Sequence, residues 1–486
     1  MELIGDRKAI EAVEGTEIET NTAVVEPALQ SAAVRPGVDR LLPLHLTPLE
    51  LFMCADDRPA FPMTFAIVVR LSGTIDRGAF EAALEDTLER HPLLTAVVRS
   101  AKSGRPCWVS AKNARPTVNW QPASGPIPSV GWEPIDIVTE TGLRIWARAT
   151  ASHCELVLQF HHAAADGVGA YRVIGDLLAA YSIHAAGGGA ARLAPVDPAQ
   201  LRRRMHAILA AASCKSSRRL VWQALRTTAR ILARRIAPLT PPRRGRAAGE
   251  PVGAVPVIAT MTLDRAAHER LRSAAADLGG TLNDLLLTAL FQTLDAWNSR
   301  HGALGRGQSL RIMMPTDLRG QEEYDMPAAT LTGYTFLTRK ARDCLDTRTL
   351  LRTVRDETAA IKRERLGTRF VDFVTALAKL PWLLRLAVQW NRCMATAVLS
   401  NVGDPSRRFT ASFPRVGGRC VCGNLVLEEI TGTGPMRPKT RTSFNIFTYN
   451  RQLTICNSCD PHRFSADDTH ELLALYVAQL RKHAAI

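Results

Sequence analysis

Residues 154–160 form a nearly continuous apolar run, the pattern of a strand buried on both faces. A short loop follows, and then residues 168–182, where Val173, Ile174, Leu177, Leu178 and Tyr181 recur on one helical face. The same alternation runs through the rest of the chain. Strands are predicted at 63–71, 94–99 and 144–149 around a helix at 76–90. In the second half strands are predicted at 255–263, 310–314, 331–338, 394–400, 421–430, 442–449 and 453–457, with helices at 264–278, from Asn283 and at 466–482. Alternation of this kind requires an α/β fold. The hairpin-length turn Tyr449-Asn450-Arg451 requires antiparallel neighbours as well, so the sheets are mixed.

With 486 residues the chain is long enough for two lobes of ordinary size, and its 46% hydrophobic and 22% charged residues are those of a globular protein. Its apolar runs fall well short of the ~18 residues that span a bilayer. The acidic start, with Glu2, Asp6, Glu11, Glu14, Glu17 and Glu19, is wrong for a secretory signal, so the expected location is cytoplasmic. Breaks at Gly187-Gly188-Gly189 and in the Pro- and Arg-rich stretch 238–249 divide the chain into a mobile tail at 1–42, a first lobe at 43–185, a linking segment at 186–252 and a second lobe at 253–486. The net charge of +15 is concentrated in the linking segment, where fourteen Lys and Arg stand against Asp197 and Glu250. Its apolar and arginine-bearing faces suit either a packed connector or peripheral membrane contact through Arg202–Arg246. Nucleic acid is not the expected partner, because Trp222 alone interleaves the arginines.

The loop between buried strand and helix reads His161-His162-Ala163-Ala164-Ala165-Asp166-Gly167. Strand ends are where α/β proteins present reactive groups. His162 is the candidate proton acceptor near neutral pH, with His161 in support. Asp166 stands at an N-cap position and is expected to hold the loop, Gly167 to supply a backbone conformation closed to other residues, and Gly169 to let another segment approach. Three other readings compete on the same residues. The histidines could be satisfied core residues; His162 and Asp166 could be two metal ligands lacking an obvious third; or Gly167-Val168-Gly169 could open a dinucleotide loop, although Arg172 takes the place of its last glycine.

His161 to Gly167 resembles the HHxxxDG motif of the thioester-dependent acyltransferases, the superfamily of chloramphenicol acetyltransferase, peptide-synthetase condensation domains, polyketide-associated acyltransferases and bacterial wax ester synthase/diacylglycerol acyltransferases. Four further stretches are similar in the same order: Leu46-Thr47-Pro48-Leu49-Glu50, Arg90-His91-Pro92-Leu93-Leu94, Asn283-Asp284-Leu285-Leu286-Leu287 and Ser400-Asn401-Val402-Gly403-Asp404-Pro405. Together the matches span roughly residues 43–484. The resemblance implies two chloramphenicol-acetyltransferase-like lobes with a tunnel between them. It implies an acyltransferase in which His162, as general base, helps move an acyl group from a CoA or carrier-protein phosphopantetheine thioester to a hydroxyl or amine acceptor, hydroxyl being favoured. No bound cofactor is implied; acyl-CoA or the carrier is a co-substrate, and an acyl carrier protein is a possible partner. A non-catalytic relative used for binding or docking is the alternative. The chain departs from plant members of the superfamily in lacking a DFGWG loop, with Gly432-Thr433-Gly434-Pro435 at a plausible place for it, and Met326 to Thr332 contains no asparagine.

Two lesser features carry expectations of their own. Cys420 and Cys422 with Cys456 and Cys459 could form a structural zinc site, the other reading being reduced, buried thiols. Arg319 and Arg441 could pair with core carboxylates or meet the phosphates of a donor.

Overall fold

Most helix starts are set by their caps. Asp76, Asp166 and Asp264 stand in extended backbone just ahead of the helices Arg77–Arg90, Gly167–His184 and Arg265–Asp277. Each carboxylate accepts the N–H three residues on, at 3.0, 2.8 and 2.8 Å. Reciprocal capping boxes, Thr281 with Asp284 and Ser465 with Asp468, open Leu282–His301 and Ala466–His483. The protein is seen as a computed structural model that describes residues 41–101, 104–111, 114–124, 133–185, 191–204, 206, 234–242, 256–302, 308–389 and 392–484, and residues 38–486 make up one compact unit.

Two large mixed sheets result. One runs in the order Arg415–Val416, Arg419–Cys422, Leu425–Thr433, Thr64–Ser72, His153–His161, Leu143–Ala149, Val118–Gln121. Its pairs are antiparallel except the last. The other runs Thr332–Arg339, Leu310–Asp317, Ala397–Gly403, Thr442–Tyr449, Gln452–Cys459, Ile258–Leu263, with Ala397–Gly403 parallel to both neighbours. The α/β class with mixed sheets is therefore the observed fold. The apolar run 154–160 lies inside the first sheet, between Thr64–Ser72 and Leu143–Ala149, where Phe160 stacks on Phe65 of the neighbouring strand at 5.4 Å. Three strands of this sheet come from residues 415–433, so a division of the chain at residue 253 is not a division of the sheets.

The structure differs from the sequence reading in several places. Residues 92–95 are a 3₁₀ turn, and the strand begins only at Ala96. The single strand expected at 421–430 is a hairpin, because Gly423 takes φ of 62° and reverses the chain. Helices Pro48–Asp56, Thr347–Arg363, Gly367–Ala378 and Pro381–Gln389 were not expected. Leu41 and Leu42, placed by the sequence in the mobile tail, are buried, and the rest of that tail lies outside the described residues.

The stretch Leu46 to Glu50 is structural. Thr47 and Glu50 form a capping box on Pro48–Asp56, and the buried Glu50 carboxylate also accepts Trp108 Nε1–H at 3.1 Å and the Arg204 guanidinium at 2.8 and 3.0 Å. Arg204 is thus an interior residue and cannot face a membrane. Most of Arg202–Arg246 lies outside the described residues.

Candidate active site

The histidine loop leaves the strand His153–His161 and is fixed from both halves of the chain. The His162 N–H donates to the Met63 carbonyl at 2.7 Å, and Thr330 Oγ1 donates to the His162 carbonyl. The His161 ring is buried. Its Nδ1 accepts the Ala163 N–H at 3.1 Å, so the proton is assigned to Nε2, which lies 3.6 Å from Asp57 Oδ2. Asp57 also holds the entry strand through the Met63 N–H at 2.7 Å. His161 is thereby a brace for its neighbour.

The His162 ring packs edge-on against Phe65, with centroids 5.2 Å apart. Nδ1 is buried without a hydrogen-bond partner, which leaves the Nε2 edge as the open side of a ring that is 8% exposed. That side borders a cavity of about 240 Å³ between the two sheets. Phe65, Ile67, Val168 and Tyr171 wall it on one side, and Thr316, Ser400, Asn401, Ser443 and Asn445 supply polar groups on the other. Burial pulls the His162 imidazole below the ordinary histidine value of 6.5, outweighing the attraction of Asp166 for a proton. A neutral imidazole whose accessible nitrogen faces a cavity, with the buried Nδ1 carrying the ring proton, can accept a proton there.

Asp166 points the other way. Its fully buried carboxylate accepts the N–H groups of Gly169 and Leu331 at 2.8 Å and the Thr332 hydroxyl at 2.9 Å, and it takes both ends of the Arg319 guanidinium at 2.9 Å. Burial alone would raise its pKa. The Arg319 charge and these hydrogen bonds reverse that and hold it down to about 2. Arg319 also donates to Asp317 Oδ1 and the Ala329 carbonyl. Of the two roles open to Arg319, the structure gives it carboxylate pairing, whereas Arg441 donates to the Leu239 carbonyl at 2.7 Å.

Gly167 corrects the sequence reading. It is not in the left-handed region; it starts the helix with ordinary backbone and borders the cavity, where a Cβ would meet only Tyr171 Cε2 at 3.9 Å. What it contributes is open space. At Gly169 the expected close approach is present: a Cβ there would come within 3.2 Å of the Ala329 backbone. Gly169→Ala is therefore expected to cost about 1–3 kcal/mol, measured by denaturant unfolding.

His91, from the Arg90 to Leu94 stretch, belongs to the same frame. Nδ1 accepts the Ala328 N–H at 2.9 Å and Nε2 lies 3.2 Å from Asp176, which Arg90 also engages at 2.7 Å. The sequence reading missed the second-half segment Thr330 to Thr332 and the Met63 carbonyl, whose contributions run through backbone atoms or short hydroxyls. The cysteine pairs sit on different sheets, Cys420 and Cys422 on one strand and Cys456 and Cys459 on another. Burial raises the Cys456 thiol to about 11 and that of Cys459 to about 12. Among the described residues no three His, Cys, Asp or Glu converge to hold a metal ion, and no helix is long and apolar enough to cross a membrane.

No family model matches the sequence. An uncharacterized protein of Mycobacterium tuberculosis strain H37Rv, Rv2305, is 26% identical over 386 residues, which cover 74% of this chain and 83% of that protein. Isonitrile lipopeptide synthase of the same organism is 31% identical over 170 residues, covering 32% of this chain and 6% of that much larger protein. The fold is that of condensation domains. The first condensation domain of the calcium-dependent antibiotic synthetase, solved with a substrate analogue, superposes with TM-score 0.66 at 15% identity over 91% of this chain and 97% of that domain. The starter condensation domain of rhizomide synthetase, solved with C8-CoA, gives 0.65 at 14% identity over 91% and 95%. An epimerization domain of tyrocidine synthetase gives 0.63 at 14% identity over 91% and 95%, so more than one chemistry uses this fold.

Proposed function

We propose that this protein is an acyltransferase that moves an acyl group from a CoA or carrier-protein thioester to a hydroxyl or amine acceptor, with His162 as general base. The observation that carries this reading is the single open nitrogen of a neutral, buried imidazole on the wall of a cavity between two sheets. In the proposed step the acceptor oxygen or nitrogen attacks the thioester carbonyl carbon while Nε2 takes its proton. The carbon–sulfur bond then breaks, and the same nitrogen returns the proton to the departing thiolate. Asp166 and Arg319 hold the loop, His161 braces it, and Gly167 keeps the way to Nε2 clear. Acyl-CoA or a phosphopantetheinyl carrier would enter as co-substrate, and the names of the similar domains, one solved with C8-CoA, agree with a donor of that class. A peripheral membrane contact through Arg202–Arg246 is a separate part of the proposal, in which Arg204 takes no part.

The pH dependence tests the base. With its folded pKa below 6.5, His162 is more than half unprotonated at pH 6.5, where an ordinary histidine would be half protonated. The acid limb of kcat/KM is therefore expected to be centred below pH 6.5. An acid limb centred above 6.5 would contradict a buried base at this position.

A further inference from the structure

A second cavity, also about 240 Å³, lies behind the first. The two share Met313, Tyr334 and Pro435 as common walls. Helices Pro48–Asp56, Thr347–Arg363 and Gly367–Ala378 enclose the second cavity against the strand Thr332–Arg339, and Phe52, Met63, Phe336, Ile361, Phe370 and Phe373 give it an apolar lining. The charged groups on its rim are engaged elsewhere. Arg437 pairs with the buried Asp56 and lies over the Phe52 ring, Glu357 pairs with Arg339 at 2.7 Å, and the half-exposed Arg369 lies 3.7 Å from Glu364. What the cavity offers a ligand is hydrocarbon surface.

Its boundary with the His162 cavity is a side-chain wall. Tyr334 stands edge-on to Phe370 at 4.9 Å, and Phe370 edge-on to Phe52 at 5.3 Å, so the partition is braced by an aromatic row across three elements. Met313 beside it is an unbranched thioether that can change rotamer. An unfilled apolar volume weakens a core and does not hold water well. Here it lies one residue thick from the cavity that carries His162, at a site where a substrate tail could fill it.

We propose that this second cavity takes the linear hydrocarbon chain of a substrate whose reacting group lies at His162, reached past Tyr334 and Met313. This rests on acyl transfer at His162, and it narrows the substrate class to molecules with an unbranched alkyl chain of several carbons on the acyl donor or on the acceptor. Short acyl groups and bulky polar acceptors would leave the cavity unfilled.

Ala360 borders the cavity from Thr347–Arg363 and is half-buried, so Ala360→Phe fills the volume without burying a polar group. Two panels locate the chain: acyl-CoA donors from acetyl to dodecanoyl with a short alcohol, and linear alcohols from ethanol to dodecanol with acetyl-CoA. The expected result is that kcat/KM of the wild type climbs with length on one panel, and that Ala360→Phe lowers the long-to-short ratio on that panel at least tenfold, with unchanged melting. Identical length profiles for the two proteins on both panels would overturn the proposal. A second arm does not depend on turnover. The linear fluorescent fatty acid cis-parinaric acid is titrated into the wild type and into Ala360→Phe, and binding at least tenfold weaker in the variant is expected. Equal binding to both, or binding to neither, would count against the cavity as a chain site. Absence of transfer on every substrate, together with Ala360-sensitive binding of the probe, would overturn the acyl-transfer reading and leave the chain site standing.

Discussion

Replacement of His162 by Ala is expected to lower the rate of acyl transfer by ~10²–10⁴, the usual contribution of a positioned general base. The fold should survive. The ring is largely enclosed and rests on Phe65. Truncation therefore loses packing on one face, which is worth on the order of 1 kcal/mol. The ring makes no hydrogen bond to another side chain, so no polar partner is left stranded. Acyl transfer and denaturant unfolding measured on the same preparation separate the two effects. A variant that keeps its turnover removes the general-base assignment. One that loses several kcal/mol of stability makes His162 a structural residue instead.

Asp166→Asn is expected to give the opposite pattern, a loss of about 3–5 kcal/mol in stability, as when one partner of a buried ion pair is removed. The Arg319 guanidinium, only 4% exposed at its side chain, would keep Asp317 and the Ala329 carbonyl but lose its charge partner at Asp166 and at least one of the two bonds to it. The amide could not satisfy Leu331 N–H, Thr332 and two guanidinium nitrogens together. The pH dependence of stability gives an independent check. Because the folded pKa of Asp166 is depressed, its contribution is present above the ordinary carboxylate value of 3.8 and is lost as pH falls from there through about 2. That window corresponds to about 2 kcal/mol. The substitution should cost more than the titration, since a protonated Asp166 keeps both oxygens in place whereas the amide sets an NH2 donor against the donors that met one of them. Wild type should show this acid loss and Asp166→Asn should lack it. A variant as stable as the wild type but unable to transfer acyl groups would move the carboxylate from scaffold to chemistry.

The difference between these two residues shows what was legible in the chain. The strand, loop and helix around His162 follow from local signals: an apolar run, an N-cap aspartate and a 3.6-residue periodicity. Those signals survive folding because the strand is buried on both faces and the cap acts over three residues. Asp166 as a cap was readable for the same reason. Its bond to Arg319 was not, because 153 residues separate them and an arginine's destination depends on the whole topology. The hairpin at Gly423 was hidden by apolar residues on both sides of a single reversal. The helix Thr347–Arg363 does carry a stripe at helical spacing, Leu350, Leu351, Val354 and Ile361, which the sequence reading passed over, whereas the two helices after it are short. Gly167 was misread for another reason. A glycine in sequence signals freedom of backbone or absence of bulk, and only the structure shows that Gly167 has ordinary helical backbone beside a cavity.

The most direct test of the account is acceptor-dependent release of thiol by the wild-type protein. Acyl-CoA donors of several lengths, with a panel of alcohols and amines, are followed for free CoA and for the mass of the acylated product. The account predicts CoA release that rises with acceptor concentration, matched one for one by ester or amide, and lost in His162→Ala. Tight binding of donor or acceptor with no product from any pair, or CoA release that ignores the acceptor and yields only free acid, would contradict it.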